Sequence, residues 1–103
     1  MKKVIIAVND KDWRNCPECK SDAVQAAENG YQVDGISTDL MFCYDCKAFY
    51  VVYPDWYFKG RGKAKKIAEF PKTIEIEIED FRMKYVDKEV EEYKATRATF
   101  ARL

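Results

Sequence analysis

The sequence from residue 16 to residue 46 reads CPECKSDAVQAAENGYQVDGISTDLMFCYDC and contains all 4 cysteines of the chain. They form two Cys-x-x-Cys pairs, Cys16 with Cys19 and Cys43 with Cys46. Two residues between cysteines let a tight turn direct both sulfurs at one ion, and a second such turn completes a tetrahedral thiolate set. We therefore predict that these four cysteines bind one structural metal ion, taken first as Zn²⁺.

The gap between the two pairs, residues 20–42, is longer than the roughly 15–20 residues common in such sites. A hairpin would account for the excess. Residues 24–28 and 31–36 flank Asn29-Gly30, a pair that readily takes the positive backbone angles of a tight turn. We predict the hairpin turn there, with Asp34-Gly35 as a second break or bulge before a strand over residues 36–42.

Three further segments are predicted as strands. Residues 4–8 form a short apolar run rich in β-branched side chains, and residues 48–53 read AFYVVY before a turn at Pro54-Asp55. Residues 74–79 read IEIEIE, and this strict alternation indicates a half-buried strand with one anionic face.

The C-terminal segment is predicted to be helical. The alternation ends near Asp80-Phe81, which indicates a strand end or a bulge. Asp87 is predicted to cap a helix that runs to about Arg102. Its helically spaced core positions would be Val90, Tyr93, Arg97 and Phe100.

From Trp13 to Tyr53 the chain resembles the zinc-ribbon superfamily, whose members place one Cys-x-x-Cys knuckle before a β-hairpin and a second between later strands. The resemblance depends on the Cys16-Pro17-x-Cys19 motif and on Cys43-x-x-Cys46 followed by an apolar strand. Many ribbons carry glycine directly after each knuckle, where this chain has Lys20 and Lys47. The resemblance implies a β-rich α+β fold, a zinc β-ribbon with additional strands and a C-terminal helix. It also implies contact with nucleic acid or with transcription or RNA-related machinery, because zinc ribbons are common there.

The length of 103 residues favours a single domain over residues 1–103, and 48% hydrophobic residues favour a globular one. We divide it into a zinc ribbon (about 13–58), a basic connector (59–66) and a C-terminal strand and helix extension (67–103). The apolar run at residues 4–8 is too short for a signal peptide, which predicts a cytoplasmic protein whose thiols stay reduced.

Two alternatives remain open for the cysteines. A Cys-x-x-Cys pair can also act as a redox dithiol, although two matched pairs favour a metal. Iron in a thiolate cage is a further possibility that the sequence separates poorly from zinc.

The chain contains no histidine, the commonest general base and a frequent ligand in catalytic zinc sites. Its 4 glycines form no phosphate-binding loop or dinucleotide fingerprint. Paired carboxylates such as Glu75 and Glu77 are expected to be a solvated face of a strand. We therefore expect a protein that is not an enzyme.

One candidate binding surface combines aromatic and basic residues after the second knuckle. Basic groups offset phosphate charge and aromatic faces stack on unpaired bases, so the combination suits single-stranded nucleic acid or RNA. The alternative interpretation is that these residues form a solvated loop that follows a core strand and bind nothing. The surface comprises Tyr53, Trp56, Tyr57, Lys59, Arg61, Lys63, Lys65 and Lys66.

A second candidate surface is acidic and comprises Glu75, Glu77 and Glu79. The formal net charge of the chain is +0, whereas dedicated nucleic-acid binders are usually basic. The acidic surface would suit a protein-protein interaction module, or a small inhibitor or regulator of a larger assembly. Internal ion pairing and a homodimer through a strand edge are the simpler alternatives.

Overall fold

The computed structural model describes residues 1–54 and 73–101, with side chains up to Arg97. In chain order the elements are β1 (Lys2–Asn9), a 3-10 turn (Asp10–Asp12), β2 (Val24–Val33), β3 (Ile36–Cys43), β4 (Phe49–Tyr53), β5 (Thr73–Glu77) and α1 (Asp80–Ala101). This is the predicted β-rich α+β class with a C-terminal helix. The predicted turn at Pro54-Asp55, the aromatic residues 56–58 and the basic connector lie wholly or partly outside the described residues.

The five strands form one mixed sheet in the order β2-β3-β4-β1-β5. β2, β3 and β4 are consecutive antiparallel neighbours. β1 lies between β4 and β5, parallel to the first and antiparallel to the second. Ile6 is opposite Tyr50, and Ile5 is opposite Ile74. β1 therefore connects β2, β3 and β4 to the C-terminal strand β5.

The hairpin between β2 and β3 turns at Asp34-Gly35, so the predicted turn at Asn29-Gly30 is wrong. Asp34 has φ 49° and Gly35 has φ 80°. Positive φ at both central residues is the geometry of the tight two-residue hairpin turn. Val33 lies directly opposite Ile36 across this turn.

Asn29-Gly30 is instead an irregularity within β2. Asn29 pairs with Asp39 and Tyr31 pairs with Thr38, so Gly30 is an extra residue without an opposite partner. Its φ of 74° is the left-handed conformation that glycine adopts at such bulges. Positive φ thus occurs at both residues of Asp34-Gly35 but only at the glycine of Asn29-Gly30, and the predicted roles of turn and bulge are exchanged.

The main core lies on the face of the sheet that α1 covers, which we call the inner face. On β5, Ile76 is buried while Glu75 and Glu77 are exposed, which confirms the alternation predicted there. The buried residues of the inner core are Ile5, Ala7, Leu40, Phe42, Phe49, Val51, Tyr53, Ile76, Ile78, Val86 and Val90.

A smaller cluster lies on the opposite, outer face of the sheet. It consists of Val8, Met41, Tyr50 and Val52. Burial on both faces explains why β1 and β4 are near-continuous apolar runs in the sequence, without the alternation of β5.

Helix α1 begins at Asp80, so the prediction that Asp87 caps it is wrong. The carbonyl of Glu79 accepts hydrogen bonds from the backbone amides of Arg82 and Met83, which form the first turn. The strand end predicted near Asp80 is confirmed, since β5 ends at Glu77. Within the described part of the chain, no helix has the length and apolar character needed to cross a lipid bilayer.

The first turns of α1 connect β5 to the far edge of the sheet at β2. Arg82, 13% exposed, donates to the carbonyl of Ala27 at 3.2 Å and pairs with the Glu28 carboxylate at 3.1 Å. Ala27 is a second unpaired residue of β2, which leaves its carbonyl available. The Tyr31 hydroxyl on β2 also lies 3.5 Å from the Glu77 carbonyl on β5. The sheet is therefore curled, and its two edges meet beside the start of the helix.

Candidate metal centre

The sheet brings the two cysteine pairs together. Cys16 and Cys19 lie in the loop before β2, Cys43 is the last residue of β3, and Cys46 lies in the loop before β4. Because Val24, the first residue of β2, pairs with Cys43, the two loops lie side by side at one end of the sheet. The hairpin turn at Asp34-Gly35 and the two extra residues of β2, Ala27 and Gly30, together produce this register.

The four sulfurs all lie within 4.8 Å of one another. The Cys16 and Cys46 sulfurs are 3.6 Å apart, and those of Cys19 and Cys43 are 3.5 Å apart. A tetrahedral ion with Zn–S bonds of about 2.3 Å places its ligands about 3.8 Å apart. The four cysteines could therefore hold one metal ion, as predicted, and the cluster is compatible with a zinc ribbon.

The two knuckles, residues 16–20 and 43–47, have the same backbone hydrogen bonds. The amide of Lys20 donates to the Cys16 carbonyl at 2.9 Å, and that of Lys47 to the Cys43 carbonyl at 3.0 Å. The amide of Cys16 donates to the carbonyl of Ser21, and the amide of Cys43 donates to the carbonyl of Ala48. Each acceptor is the residue that directly follows its knuckle. In each knuckle the first cysteine is buried and the second is exposed. Two copies of one turn thus supply the four sulfurs.

Lys20 and Lys47 adopt a left-handed backbone conformation, which favours glycine. Their φ angles are 66° and 62°. A non-glycine residue with positive φ carries a cost from contact between its Cβ and the backbone. The closing turn of each knuckle therefore forms without glycine, at some expense in conformational energy.

The pKa values of the Cys19, Cys43 and Cys46 thiols are shifted in different directions. Desolvation raises the pKa of Cys43 and raises that of Cys46 to about 12, and hydrogen bonds with the other three sulfurs add to the shift of Cys46. A hydrogen bond from the Ser21 backbone lowers the pKa of Cys19. Since metals bind thiolates, an incoming ion must displace protons from Cys43 and Cys46 in particular.

Several hydrogen bonds fix the two knuckles to each other. The Ser21 hydroxyl donates to the Asp45 carboxylate of the second knuckle. The Tyr44 amide donates to the Ala23 carbonyl at 2.8 Å. Within the second knuckle, the Asp45 amide donates to the Cys43 sulfur at 3.3 Å, a bond that favours the thiolate.

Helix α1 packs against the second knuckle, which the sequence interpretation missed. The ring of Tyr93 stacks on that of Tyr44, and Arg97 lies 3.4 Å from the Asp45 carboxylate. Asp87 lies 3.4 Å from Lys47. The sequence contains a signal for this packing, because one face of the helix carries a row of residues at spacings of three and four. The row is Met83, Val86, Val90, Tyr93 and Arg97.

The predicted aromatic and basic surface is only partly described. Tyr53 is 3% exposed and belongs to the inner core, so its inclusion in an exposed stacking surface is wrong. The other members, Trp56, Tyr57, Lys59, Arg61, Lys63, Lys65 and Lys66, lie outside the described residues.

The predicted acidic residues Glu75, Glu77 and Glu79 are all exposed, the first two on the outer face of β5. Glu77 accepts a hydrogen bond from the amine of Met1 at 2.8 Å, which lowers the pKa of its carboxyl. Only Glu75 and Glu77 belong to the strand, because Glu79 begins the turn into α1.

Comparisons with models of known families, with curated proteins and with solved structures found no match for this chain. Function is therefore inferred from the four-cysteine geometry and the surfaces around it.

Proposed function

We propose that this chain is a non-enzymatic zinc-binding module that contacts nucleic acid. Cys16, Cys19, Cys43 and Cys46 would hold one structural Zn²⁺. The metal-binding part of the proposal depends on one observation. Two equivalent knuckles bring four sulfurs within 4.8 Å of one another. Four protein thiolates fill a tetrahedral coordination shell and leave no position for a reacting water.

Zinc is favoured over iron because Zn²⁺ binds a given set of ligands more tightly than Fe²⁺ does. Its role would be to stabilise the fold. The knuckles join β2, β3 and β4 at one end of the sheet, and α1 contacts the second knuckle. Binding of Zn²⁺ by four thiolates would also change the formal net charge from +0 to about −2.

Two features support nucleic acid as the partner. In the sequence, the segment 59–66, which reads KGRGKAKK, directly follows the three aromatic residues 56–58. In the described part of the chain, the segment before the first knuckle carries Lys11, Trp13 and Arg14, and Trp13 is 39% exposed. Cations next to exposed aromatic rings suit phosphates next to unpaired bases.

A protein partner is the second candidate, favoured by the position of β5. This strand lies at the edge of the sheet, pairs with β1 on one side, and presents Glu75 and Glu77 to solvent. A basic protein surface could bind there, as in an interaction module or an inhibitor of a larger assembly.

Metal analysis of the purified protein tests the first part of the proposal. We expect one zinc per chain and four thiols that resist a thiol reagent until a chelator is added. Thiols that react at once in the zinc-loaded protein would instead support a redox dithiol.

Shift assays with single-stranded and duplex oligonucleotides test the second part. Binding should weaken by more than tenfold between about 50 mM and about 200 mM salt, and should fall when Lys63, Lys65 and Lys66 are replaced by alanine. Absence of binding at low salt would end the nucleic-acid part and leave the zinc part intact. A protein partner that is captured only while Glu75 and Glu77 are present would support the second candidate.

A further inference from the structure

Two clefts of opposite character flank the segment that leads from β1 into the first knuckle. One has a volume of about 410 Å³ and is lined by Lys11, Arg14 and Lys20 together with Asp12. The other has a volume of about 250 Å³, and Trp13 forms part of its wall. Within residues 10–14, Lys11, Asp12 and Arg14 line the first cleft and Asp10 and Trp13 line the second, so a ligand that crosses this segment would contact both.

The first cleft is cationic. None of Lys11, Arg14 and Lys20 forms an ion pair within residues 1–54 and 73–97. The Lys20 ammonium lies 3.3 Å from the Pro17 carbonyl, next to the cysteines, where it would offset the charge of a metal tetrathiolate. Lys11 and Arg14 are then left to receive a phosphate.

The second cleft has an apolar floor and a polar rim. Val24, Ala26, Met41 and Val52 of the outer face form the floor, and Asn29 and the carboxylates of Asp10 and Asp39 form the rim. Gln25 also lines this cleft, but its side-chain amide is bonded to the hydroxyls of Tyr44 and Tyr85 on the inner face. An unpaired base can stack on the Trp13 indole while amide and carboxylate groups bond to its edge. The second cleft has two carboxylates and no cation, whereas the basic residues of the first cleft outnumber its one carboxylate, Asp12, so charge favours a nucleotide with its base here and its phosphate in the first cleft.

The tryptophan is held in place before any ligand arrives. The Tyr50 hydroxyl, buried under the outer face, donates to the Trp13 carbonyl at 2.6 Å. The Asn9 side chain accepts from the Lys11 amide at 2.9 Å and fixes the start of the 3-10 turn. The Arg14 guanidinium lies 5.5 Å from the Trp13 ring centre. A preorganised segment loses little entropy on binding.

We infer that single-stranded nucleic acid crosses residues 10–14, with a phosphate against Lys11 and Arg14 and an unpaired base stacked on Trp13. This inference depends on the proposed nucleic-acid function and assigns it a surface outside the basic connector.

Tryptophan fluorescence tests the assignment. The chain has 2 tryptophans, so Trp56→Phe leaves Trp13 as the reporter. Zinc-loaded full-length protein is titrated with a mixed-sequence, twelve-nucleotide single-stranded DNA and with the matching duplex. We expect the single strand to quench Trp13 and to bind more tightly than the duplex. Trp13→Ala should weaken single-strand binding by about tenfold. The double variant K11Q/R14Q should bind with an affinity that depends less on salt concentration.

Lys88→Gln, an exposed cation of α1, is the matched control and should leave affinity unchanged, and retained zinc shows that each variant is folded. Binding that persists in W13A, leaves Trp13 fluorescence unaltered and is lost when Lys63, Lys65 and Lys66 are replaced would overturn this inference and keep the nucleic-acid function. Absence of any binding at low salt would remove both.

Discussion

The ring of Tyr93 on α1 stacks on the ring of Tyr44, which lies between Cys43 and Cys46, with ring centres 4.7 Å apart and planes inclined by 29°. The C-terminal helix and the second knuckle are therefore in direct contact. Stability of the helix and occupancy of the metal site should be linked, because the same residues serve both.

Removal of the metal should loosen the middle of α1. Without zinc the second knuckle loses its anchor, and the Asp45 and Lys47 contacts to the helix weaken with it. We expect faster hydrogen exchange in peptides covering residues 80–97 after chelation, with recovery when zinc returns. Cys43→Ser should show the same pattern without chelator. Unchanged protection of the helix would show that α1 docks independently of the metal.

The contribution of the Tyr44–Tyr93 stack to stability can be measured by substitution. Aromatic pairs contribute about 0.5–1.5 kcal/mol beyond the burial of their area. Tyr93→Leu should therefore lower the free energy of unfolding by about 1 kcal/mol. Tyr93→Phe should lower it by less, because it keeps the ring and loses only the exposed hydrogen bond from Arg97. A double-mutant cycle with Tyr44→Leu isolates the pair, and a coupling energy near zero would contradict the stack.

Arg82 should be the most sensitive charged position of the helix. It is 13% exposed, and its removal leaves the Ala27 carbonyl without its donor. Arg82→Met is expected to cost about 1–3 kcal/mol in urea unfolding. Lys84→Met, an exposed position two residues away, is the matched control and should change stability by less than about 0.5 kcal/mol. Equal effects of the two substitutions would argue against the connection between α1 and β2.

Glycine at position 20 should leave the stability of the fold unchanged or raise it slightly, and a β-branched residue there should lower it. The φ of Lys20 is 66°, a conformation that costs an L-residue roughly 1–2 kcal/mol and glycine nothing. Lys20→Gly should match or slightly exceed the parent in stability at a fixed zinc concentration. Lys20→Val should be less stable than Lys20→Gly by about 1–2 kcal/mol, as measured by unfolding in urea. Equal stability of the two variants would mean that the knuckle closes with a different backbone.

Zinc affinity should fall as the pH falls. The raised pKa values of Cys43 and Cys46 mean that both are protonated at neutral pH before metal binds, so protons and zinc compete. Affinity measured by chelator competition at pH 6, 7 and 8 should rise with pH, with at least two protons released per zinc bound. Release of fewer than two protons would show that these thiols are already ionised.

The four-cysteine cluster was predictable from sequence because two matched Cys-x-x-Cys pairs indicate a local turn geometry that hardly depends on the remaining fold. The strands containing residues 4–8, 36–42 and 48–53 were predictable for a related reason, since their apolar patterns survive in any sheet that buries them. The alternation of residues 74–79 likewise predicted the exposed carboxylates of β5 correctly.

The hairpin turn was not predictable in this way. Asn29-Gly30 and Asp34-Gly35 have the same turn chemistry, and both adopt positive φ at glycine. Their roles depend on the pairing of Val24 with Cys43, a contact between distant residues. The start of α1 was missed for the same reason, because Arg82 stabilises the first turn through Ala27 on β2.

The insertion of β1 between β4 and β5 has a consequence for assembly of the chain. β2, β3 and β4 are consecutive in sequence and can pair through short connections as soon as β4 has been synthesised. β1 is synthesised before both of its partner strands, so its apolar residues 4–8 wait for them unpaired. A nascent chain that stalls before residue 73 would leave the β5-facing edge of β1 open to aggregation.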